Sequence, residues 1–475
     1  MSPPFFNSSQ RYSGMNKTIC GFDYGTSNCA LGTFQVDNSG NVKQQLLALE
    51  GDKAFIPSTL YAIARELICE SVGLGMSGNA QEQYIALRAG PLANARRVRR
   101  EEGFTPDEQT LFFGRSAFEQ YFSLPEEGYF VKSPKSFLGA SGLRPEQVGF
   151  FEDIVTAMMQ NVKSKADAQL SQPLTRTVIG RPVNFQGLNA EKSNQQALAI
   201  LTVAAKQAGF EDVEFLYEPI AAGLHFEQTL TENRTVIVVD IGGGTTDCAV
   251  VRMGPDYRKK EDRRDDFVGH TGERIGGNDL DVQLASNSLL PLFGSESQMK
   301  SGKPVPLQVF LNAVATNDVS AQSDFNSMET GLLLKQLLRD CSQPELLQRF
   351  IKLYNNRQNN HLVRSAEQSK IALSSQSDHL VDLAYVEQGL AHTISFDDMA
   401  EAVERPVRKM INLIDEALAQ AGSLPDLVYL TGGSSQSPVI QQAIRQRLPE
   451  LEVVDGDHFG SVASGLTVWS QRIFS

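Results

Sequence analysis

Long apolar runs are missing from this chain: nowhere in its 475 residues does it approach the roughly 18 uninterrupted apolar residues of a membrane span. Cysteine is sparse. The five cysteines (Cys20, Cys29, Cys69, Cys248, Cys341) are scattered, odd in number and free of any CxxC pair, which argues against a disulfide or zinc framework and for a reducing compartment. The six histidines show no HxxxH or HExxH spacing, so an all-protein metal cage is not expected. Positive charge is in deficit too. Lys and Arg total 43 against 56 Asp and Glu, a net charge of −13, and such a chain does not attract phosphate backbones non-specifically, so no nucleic-acid partner is expected. The Walker-type GxxxxGK[ST] loop is also absent. Residues 1–15, rich in Pro, Ser and Asn, lack the apolar segment of a signal peptide; they are expected to be a disordered lead-in, with Met15 as an alternative start. The chain reads as soluble and cytoplasmic, with no membrane partner.

What is present is an alternation of strand and helix signals, as in an α/β protein. A short apolar run ends in Asp23-Tyr24-Gly25-Thr26-Ser27-Asn28 and a second run follows, Cys29–Val36, the pattern of a hairpin with a glycine-bearing turn. The same arrangement returns far downstream. Thr235–Val239 leads into Asp240-Ile241-Gly242-Gly243-Gly244-Thr245-Thr246-Asp247 and then Cys248–Arg252. Two copies of one hairpin predict an internal duplication with two facing lobes. Between them Thr175–Arg181 and Asp212–Leu216 read as strands, Asn189–Ala208 as a helix, and Glu218 stands where a strand meets a helix begun by Pro219. Leu362–Ser374 carries helical spacing. Leu427–Leu430 is a strand that runs into a third glycine turn at Gly432-Gly433, followed by helices over Pro438–Leu448 and Gly460–Trp469. The charged run Asp256–Asp266 reads as a solvated loop, and Gly294–Asn326 as an irregular insertion.

Glycine turns let backbone N–H groups approach phosphate oxygens, and Thr and Ser in the same turn add hydroxyl donors. Each turn here opens with a carboxylate, Asp23 or Asp240, which suits a hydrated Mg²⁺. Two such turns across a cleft would hold the terminal phosphates of one nucleotide. Gly73-Leu74-Gly75-Met76-Ser77-Gly78 also satisfies the GxGxxG dinucleotide fingerprint, but Leu92–Arg100, where the ribose-gripping acid should lie, contains none. The arginines Arg88, Arg96, Arg97, Arg99 and Arg100 read as a solvated helix face.

These segments resemble the ATPase domain of the DnaK-type, or seventy-kilodalton heat-shock, chaperones within the actin-like ATPase superfamily. The resemblance rests on GFDYGTSN (Gly21–Asn28), VIGRPVNF (Val178–Phe185), LYEPIAAGL (Leu216–Leu224), VVDIGGGTTD (Val238–Asp247) and RIGGNDLD (Arg274–Asp281). It continues through AEQSKIALSS (Ala366–Ser375), YLTGGSSQSP (Tyr429–Pro438) and FGSVASGL (Phe459–Leu466), all in the family's order. VKSPKSFLGASGL (Val131–Leu143) is shared with the stand-alone YegD-type members.

The resemblance implies a two-lobed actin-like α/β fold of duplicated ribonuclease H-like domains. Lobe I would span 16–233 with a small subdomain at about 46–139, lobe II 234–455 with one at about 283–375, and a C-terminal helix, 456–475, would return to lobe I. It implies ATP/ADP and Mg²⁺ as ligands. Asp23 and Asp240 would hold the metal through water, and Gly25, Thr26, Ser27, Asn28, Gly242, Gly243, Gly244 and Thr245 would bind the phosphates. Lys135 would stabilise the γ-phosphate, with Lys132 as the competing candidate, while Glu218 and Asp247 would position the attacking water. Gly276 and Gly277 would close over the γ-phosphate. Glu367, Lys370 and Ser374 would meet adenine and ribose, and Gly432, Gly433 and Ser434 would lie under the α/β-phosphates. Gln436 stands where the family has an adenine-stacking Arg, which puts base affinity in question. The stretches Asp23 to Lys135 and Asp281 to Glu367 are longer than in the chaperones, so each small subdomain is expected to be elaborated. No peptide-binding segment is expected after these motifs. The implied function is slow ATP hydrolysis in a monomer, driving an open–closed switch that an unknown protein partner or client reads. The alternatives are an ATP-gated module without hydrolysis and a small-molecule kinase, with filament formation last.

Overall fold

The computed structural model describes residues 19–36, 42–186, 189–260 and 262–474; the expected lead-in, residues 1–15, lies outside them. Two sheets carry the architecture. The first contains β1 (Ile19–Tyr24), β2 (Asn28–Val36), β3 (Val42–Leu46), β4 (Arg176–Arg181) and β5 (Asp212–Tyr217), in the order β3-β2-β1-β4-β5, with the short Ile56–Pro57 added alongside β2. The second contains β6 (Arg234–Ile241), β7 (Thr246–Met253), β8 (Phe267–Glu273), β9 (Leu427–Thr431) and β10 (Glu452–Asp455), in the order β8-β7-β6-β9-β10. In each sheet the first three strands are antiparallel neighbours and the last two add in parallel. One topology is built twice. The duplication inferred from two short turns therefore extends to whole sheets.

Helices α1 (Pro145–Leu170) and α2 (Ala190–Gln207) share the first lobe's apolar core with β1 and β2. Helix α3 (Glu218–Glu227) follows β5 directly, with Pro219 in its first turn. The second lobe adds α4 (Gly277–Leu284), α5 (Asn359–Ala372), α6 (Phe396–Ala421) and α7 (Pro438–Arg447), all packed into one core with β6, β7 and β9. Ser395 caps α6 by accepting the Asp398 N–H, and Gly422 ends it at φ +67°, so both termini have local satisfaction for their free backbone groups. Helix α8 (Ser461–Phe474) closes the chain against β1 and β4, and α3 lies against β6 and β7. Since α3 and α8 also pack on each other, they form a double layer between the sheets. Glycines make the approach possible. A Cβ on Gly21 would lie 2.2 Å from the Thr467 nitrogen, and one on Gly465 would lie 1.6 Å from the Ala221 oxygen.

A three-stranded sheet (Leu111–Phe113, Thr59–Ala62, Tyr129–Lys132) with helices Leu67–Leu74, Gly78–Leu87, Ala89–Glu102 and Arg115–Ser123 rises above the first lobe. Helices Gln308–Val314, Val319–Phe325, Met328–Asp340 and Pro344–Asn355 do the same above the second. Among the described residues no helix is long and apolar enough to cross a membrane.

Three expectations need correction. The insertion Gly294–Asn326 is not irregular throughout: it holds two short helices whose Val309, Phe310, Ala313, Val314 and Phe325 enter the second lobe's core. Nor is the charged run 256–266 simply a solvated loop. The Arg263 side chain is 1% exposed and bonds Glu227 at 3.0 Å and Asp266 at 2.6 Å, both equally buried. Two of the five clustered arginines also turn inward, Arg88 onto Glu152 and Asp153 and Arg99 onto Glu70. The GxGxxG stretch runs from the end of one helix into the start of the next, without the preceding strand that the dinucleotide motif needs.

Candidate functional site

The two glycine turns face each other across the gap between the sheets. The β1–β2 turn is braced by Ser58, whose hydroxyl donates to the Gly25 carbonyl at 2.6 Å and whose N–H donates to the Ser27 carbonyl at 2.8 Å. The β6–β7 turn is closed by the Gly242 N–H on the Thr245 carbonyl at 3.0 Å. A Cβ added to Gly243 would sit 1.8 Å from Ser27 Oγ, and one added to Gly244 would sit 2.6 Å from the Thr26 methyl carbon. Only glycine permits this approach. Asn28 begins β2 directly behind its turn.

A third element locks onto the second turn. The Gly277 N–H donates to the Gly242 carbonyl at 3.0 Å and the Asn278 N–H to the Gly243 carbonyl at 2.7 Å. Ser434 Oγ donates to the same Gly242 carbonyl at 2.9 Å. A Cβ on Gly276 would lie 2.7 Å from the Gly243 carbonyl carbon. Gly432, at φ +81°, passes so close to Asp240 that a Cβ would fall 2.5 Å from its Oδ1, and Gly433 faces the Phe459 ring. Asp23 and Asp240, Gly242 to Thr245, Gly276–Gly277 and Gly432 to Ser434 are thus brought to one place.

The floor of this cleft carries a lopsided charge cluster. Lys135 Nζ meets Glu218 Oε1 at 2.5 Å and donates to the Gly180 carbonyl at 3.2 Å. Burial and the nearby Glu218 carboxylate push Asp23 up to about 7, with Lys135 opposing. The same two causes raise Asp247 to about 8 and lift Asp240 well above the usual carboxylate range. Four carboxylates share a single ammonium. Asp247 Oδ1 accepts the Val183 N–H at 2.6 Å, whereas its buried Oδ2 has no partner. Among the described residues no three Asp, Glu, His or Cys side chains are arranged to grip a metal directly. The donors instead suit a cation held through its own waters, which needs only one or two carboxylates.

The two lysines part company. Ser133, in the left-handed region at φ +56°, turns the chain between the strand ending at Lys132 and the short helical turn Pro134–Phe137. Lys135 therefore points to the carboxylates, while Lys132 Nζ crosses to Glu367 in the second lobe at 2.7 Å. Burial alone would raise Glu367, but Lys132, Arg364 and Lys370 outweigh it and hold its carboxyl down at about 2. Lys370 pairs with Asp281 at 2.7 Å and donates to the Gly277 carbonyl at 3.1 Å. Glu367 and Lys370 thus serve ion pairs here, and Ser374 is exposed, its hydroxyl returning to the Lys370 carbonyl. Gln436 ends a short helical turn with its side chain in solvent.

Reading the sequence missed several residues that complete the site. Ser58 holds the first turn. Asn278 Nδ2 donates to Ser133 Oγ at 3.3 Å, from one lobe to the other, and Ser136 Oγ would be 3.2 Å from a Cβ on Gly244. Asn278 and Ser136 lay inside quoted motifs, beside the residues singled out; Ser58 had no local signal.

A family model described as MreB/Mbl protein matches residues 141–284. The chaperone protein DnaK of Thermus thermophilus is 23% identical over 378 residues, covering 77% of this chain and 51% of the relative; that of a second strain is 22% identical over the same length. The DnaK of Elusimicrobium minutum is 23% identical over 461 residues, covering 95% of this chain and 57% of its own length. The chain spans about half the length of the curated relatives it matches. Duplicated sheets, mirrored acid-headed turns and these matches together support a family of the actin-like ATPase, or seventy-kilodalton heat-shock, type.

Proposed function

We propose that the chain closes its lobes on Mg·ATP and hydrolyses it slowly, and that a partner protein reads the open and closed states. The observation that carries this reading is the direct opposition of two glycine turns over four carboxylates and one lysine. In it the turn N–H groups and the Thr26, Ser27 and Thr245 hydroxyls grip the β- and γ-phosphates from both walls. Asp23 and Asp240 would hold Mg²⁺ through its waters, and the ion, when bound, would supply positive charge against the phosphate oxygens. The excess of buried carboxylate fits such a charge. Lys135 offsets charge gathering on the transferring phosphoryl group, and Glu218 with the unpartnered Oδ2 of Asp247 orients water for attack. Phosphoryl transfer asks for positioning and electrostatics more than for covalent help. The tight Lys135–Glu218 pair favours slow turnover, since both groups must loosen before acting separately. A chaperone role, action as a monomer and a cytoplasmic setting belong to the same proposal.

Calorimetric titration with ATP, ADP and GTP in Mg²⁺, followed by phosphate release, tests the reading. Lys135→Ala and Glu218→Gln should lower turnover by roughly a hundredfold or more while ATP affinity stays within a few-fold. Unchanged turnover in both variants, or no ATP binding at millimolar concentration, would refute it.

A further inference from the structure

The loop after β4 crosses from the first lobe to grip the second around Asp247. Val183, buried, donates its N–H to Asp247 Oδ1 at 2.6 Å, and Asn184 Nδ2 donates to the Gly272 carbonyl on β8 at 3.1 Å. Gly272 is pressed into the same contact: a Cβ there would stand 2.1 Å from Asp247 Oδ1 and 2.8 Å from the Val183 Cβ. The orientation of one carboxylate on the second sheet is therefore set by a backbone donor that belongs to the first.

That donor is itself held in place. Two side chains converge on the Val183 carbonyl, Arg181 Nη2 at 3.0 Å and Asn194 Nδ2 at 3.3 Å. Arg181 Nε also donates to the Pro182 carbonyl at 3.0 Å. The guanidinium lies over the Tyr217 ring, 4.8 Å from its centroid, with Phe185 at 5.9 Å. A planar, multiply donating cation can clamp a loop and stack at the same time; an ammonium cannot do both. Arg181 makes no ion pair with Asp247 or Glu218 among the described residues, although both lie within its electrostatic reach. It touches neither turn. Its action on the site passes through Val183.

We propose that Arg181 is a positioning residue for hydrolysis: by clamping Val183 it fixes the N–H that aims Asp247, so that the carboxylate is set for the attacking water only when the lobes are closed. The inference rests on the ATPase reading above and adds that hydrolysis is conditional on closure through a single inter-lobe hydrogen bond. Misplacing a catalytic group slightly is enough to slow a reaction by up to about a hundredfold without altering binding.

The test compares wild type with Arg181→Met, which keeps an apolar stem over Tyr217 but loses every donor, and with Arg181→Lys. ATP affinity is measured by calorimetry, kcat and KM by phosphate release, and folding by thermal melts. Arg181→Met should lower kcat roughly tenfold to a hundredfold with Kd and KM within about threefold, and Arg181→Lys should recover part of the loss. Should Arg181→Met fold poorly, Asn194→Ala, which removes the second donor to Val183, should give a smaller fall in kcat in a chain that melts normally. Wild-type kcat in the Arg181→Met and Asn194→Ala variants would overturn the Arg181 role alone, as would a fall in kcat matched by an equal loss of ATP binding. Wild-type protein that binds ATP without hydrolysing it would overturn the hydrolytic reading, and this role with it.

Discussion

Replacing Lys132 by Met should speed nucleotide release without disturbing the phosphate turns. The Lys132 ammonium crosses the mouth of the cleft to Glu367, with side chains only 16% and 18% exposed. Around it helix Arg115–Ser123 and the start of α5 form a clasp. Tyr121 donates its hydroxyl to the Arg357 carbonyl at 2.7 Å, Arg364 lies 5.1 Å from the Phe118 ring centroid, and the Phe122 ring meets His361 at 4.6 Å. Methionine keeps most of the lysine stem and removes the charge. A buried carboxylate that loses every partner costs about 3–5 kcal/mol, but Glu367 keeps Arg364 at 2.9 Å, so a single charge-assisted bond, about 2 kcal/mol, is the appropriate figure. If that loss falls on the closed state alone, the closed-to-open ratio drops roughly thirtyfold, at tenfold per 1.4 kcal/mol. Stopped-flow release of a fluorescent ADP, chased with unlabelled ADP, measures the change directly. Tyr121→Phe, which loses one neutral hydrogen bond worth about 1 kcal/mol, should give roughly fivefold. Release at the wild-type rate in both variants would show that the clasp does not hold the cleft shut.

Acid should loosen the same clasp. His361, stacked on Tyr385 at 3.7 Å, is held down to about 4 by burial against an ordinary 6.5; the folded contact therefore disfavours the proton, its contribution is full above 6.5 and is lost as pH falls toward 4. ADP release should quicken more steeply between pH 7 and 5 in wild type than in His361→Phe. At the turns, Gly243→Ala would set a methyl 1.8 Å from Ser27 Oγ; overpacking of about 1–3 kcal/mol should weaken ATP binding roughly tenfold or more in a titration, and wild-type affinity would mean that the turns do not share a ligand.

The parts of this molecule that were legible in sequence are those written in local chemistry. An acid, a glycine and a hydroxyl between two apolar runs state a turn and its donors within eight residues, and the turn occurs twice. The strands Arg176–Arg181 and Asp212–Tyr217 and the helices Ala190–Gln207 and Asn359–Ala372 followed from their own patterns. The failures share a different cause. Arg263 sits in a run of charge that looks solvated because its partner Glu227 lies on α3, with the first sheet's motifs. The helices Gln308–Val314 and Val319–Phe325 are seven residues each, too short to show periodicity, and hold their shape by burying Phe310 and Phe325. The different directions taken by Lys132 and Lys135 follow from one left-handed residue, Ser133, which spacing alone cannot reveal. The clasp at the cleft mouth joins residues more than two hundred positions apart.

The lopsided charge at the cleft floor argues for a ligand more strongly than any one motif. Burying a carboxylate without a partner is costly, and an apolar substitute of similar shape is often no less stable. Here Asp23, Asp240, Asp247 and Glu218 crowd around Lys135, and burial with mutual repulsion raises Asp23 to about 7, Asp247 to about 8 and Asp240 well above its ordinary value. Packing alone has no use for such a group. Its neighbours deepen the puzzle, because Gly243, Gly272, Gly276 and Gly432 all forgo side chains where these acids and turns meet. Positive charge brought into the cleft would relieve the repulsion, and phosphate oxygens brought with it would meet the donors of both turns. The contacts that look unfavourable without a ligand become favourable together once it binds. Part of the binding free energy is then spent on drawing the two sheets toward each other, so a site with this charge balance is suited to coupling ligand capture to lobe closure.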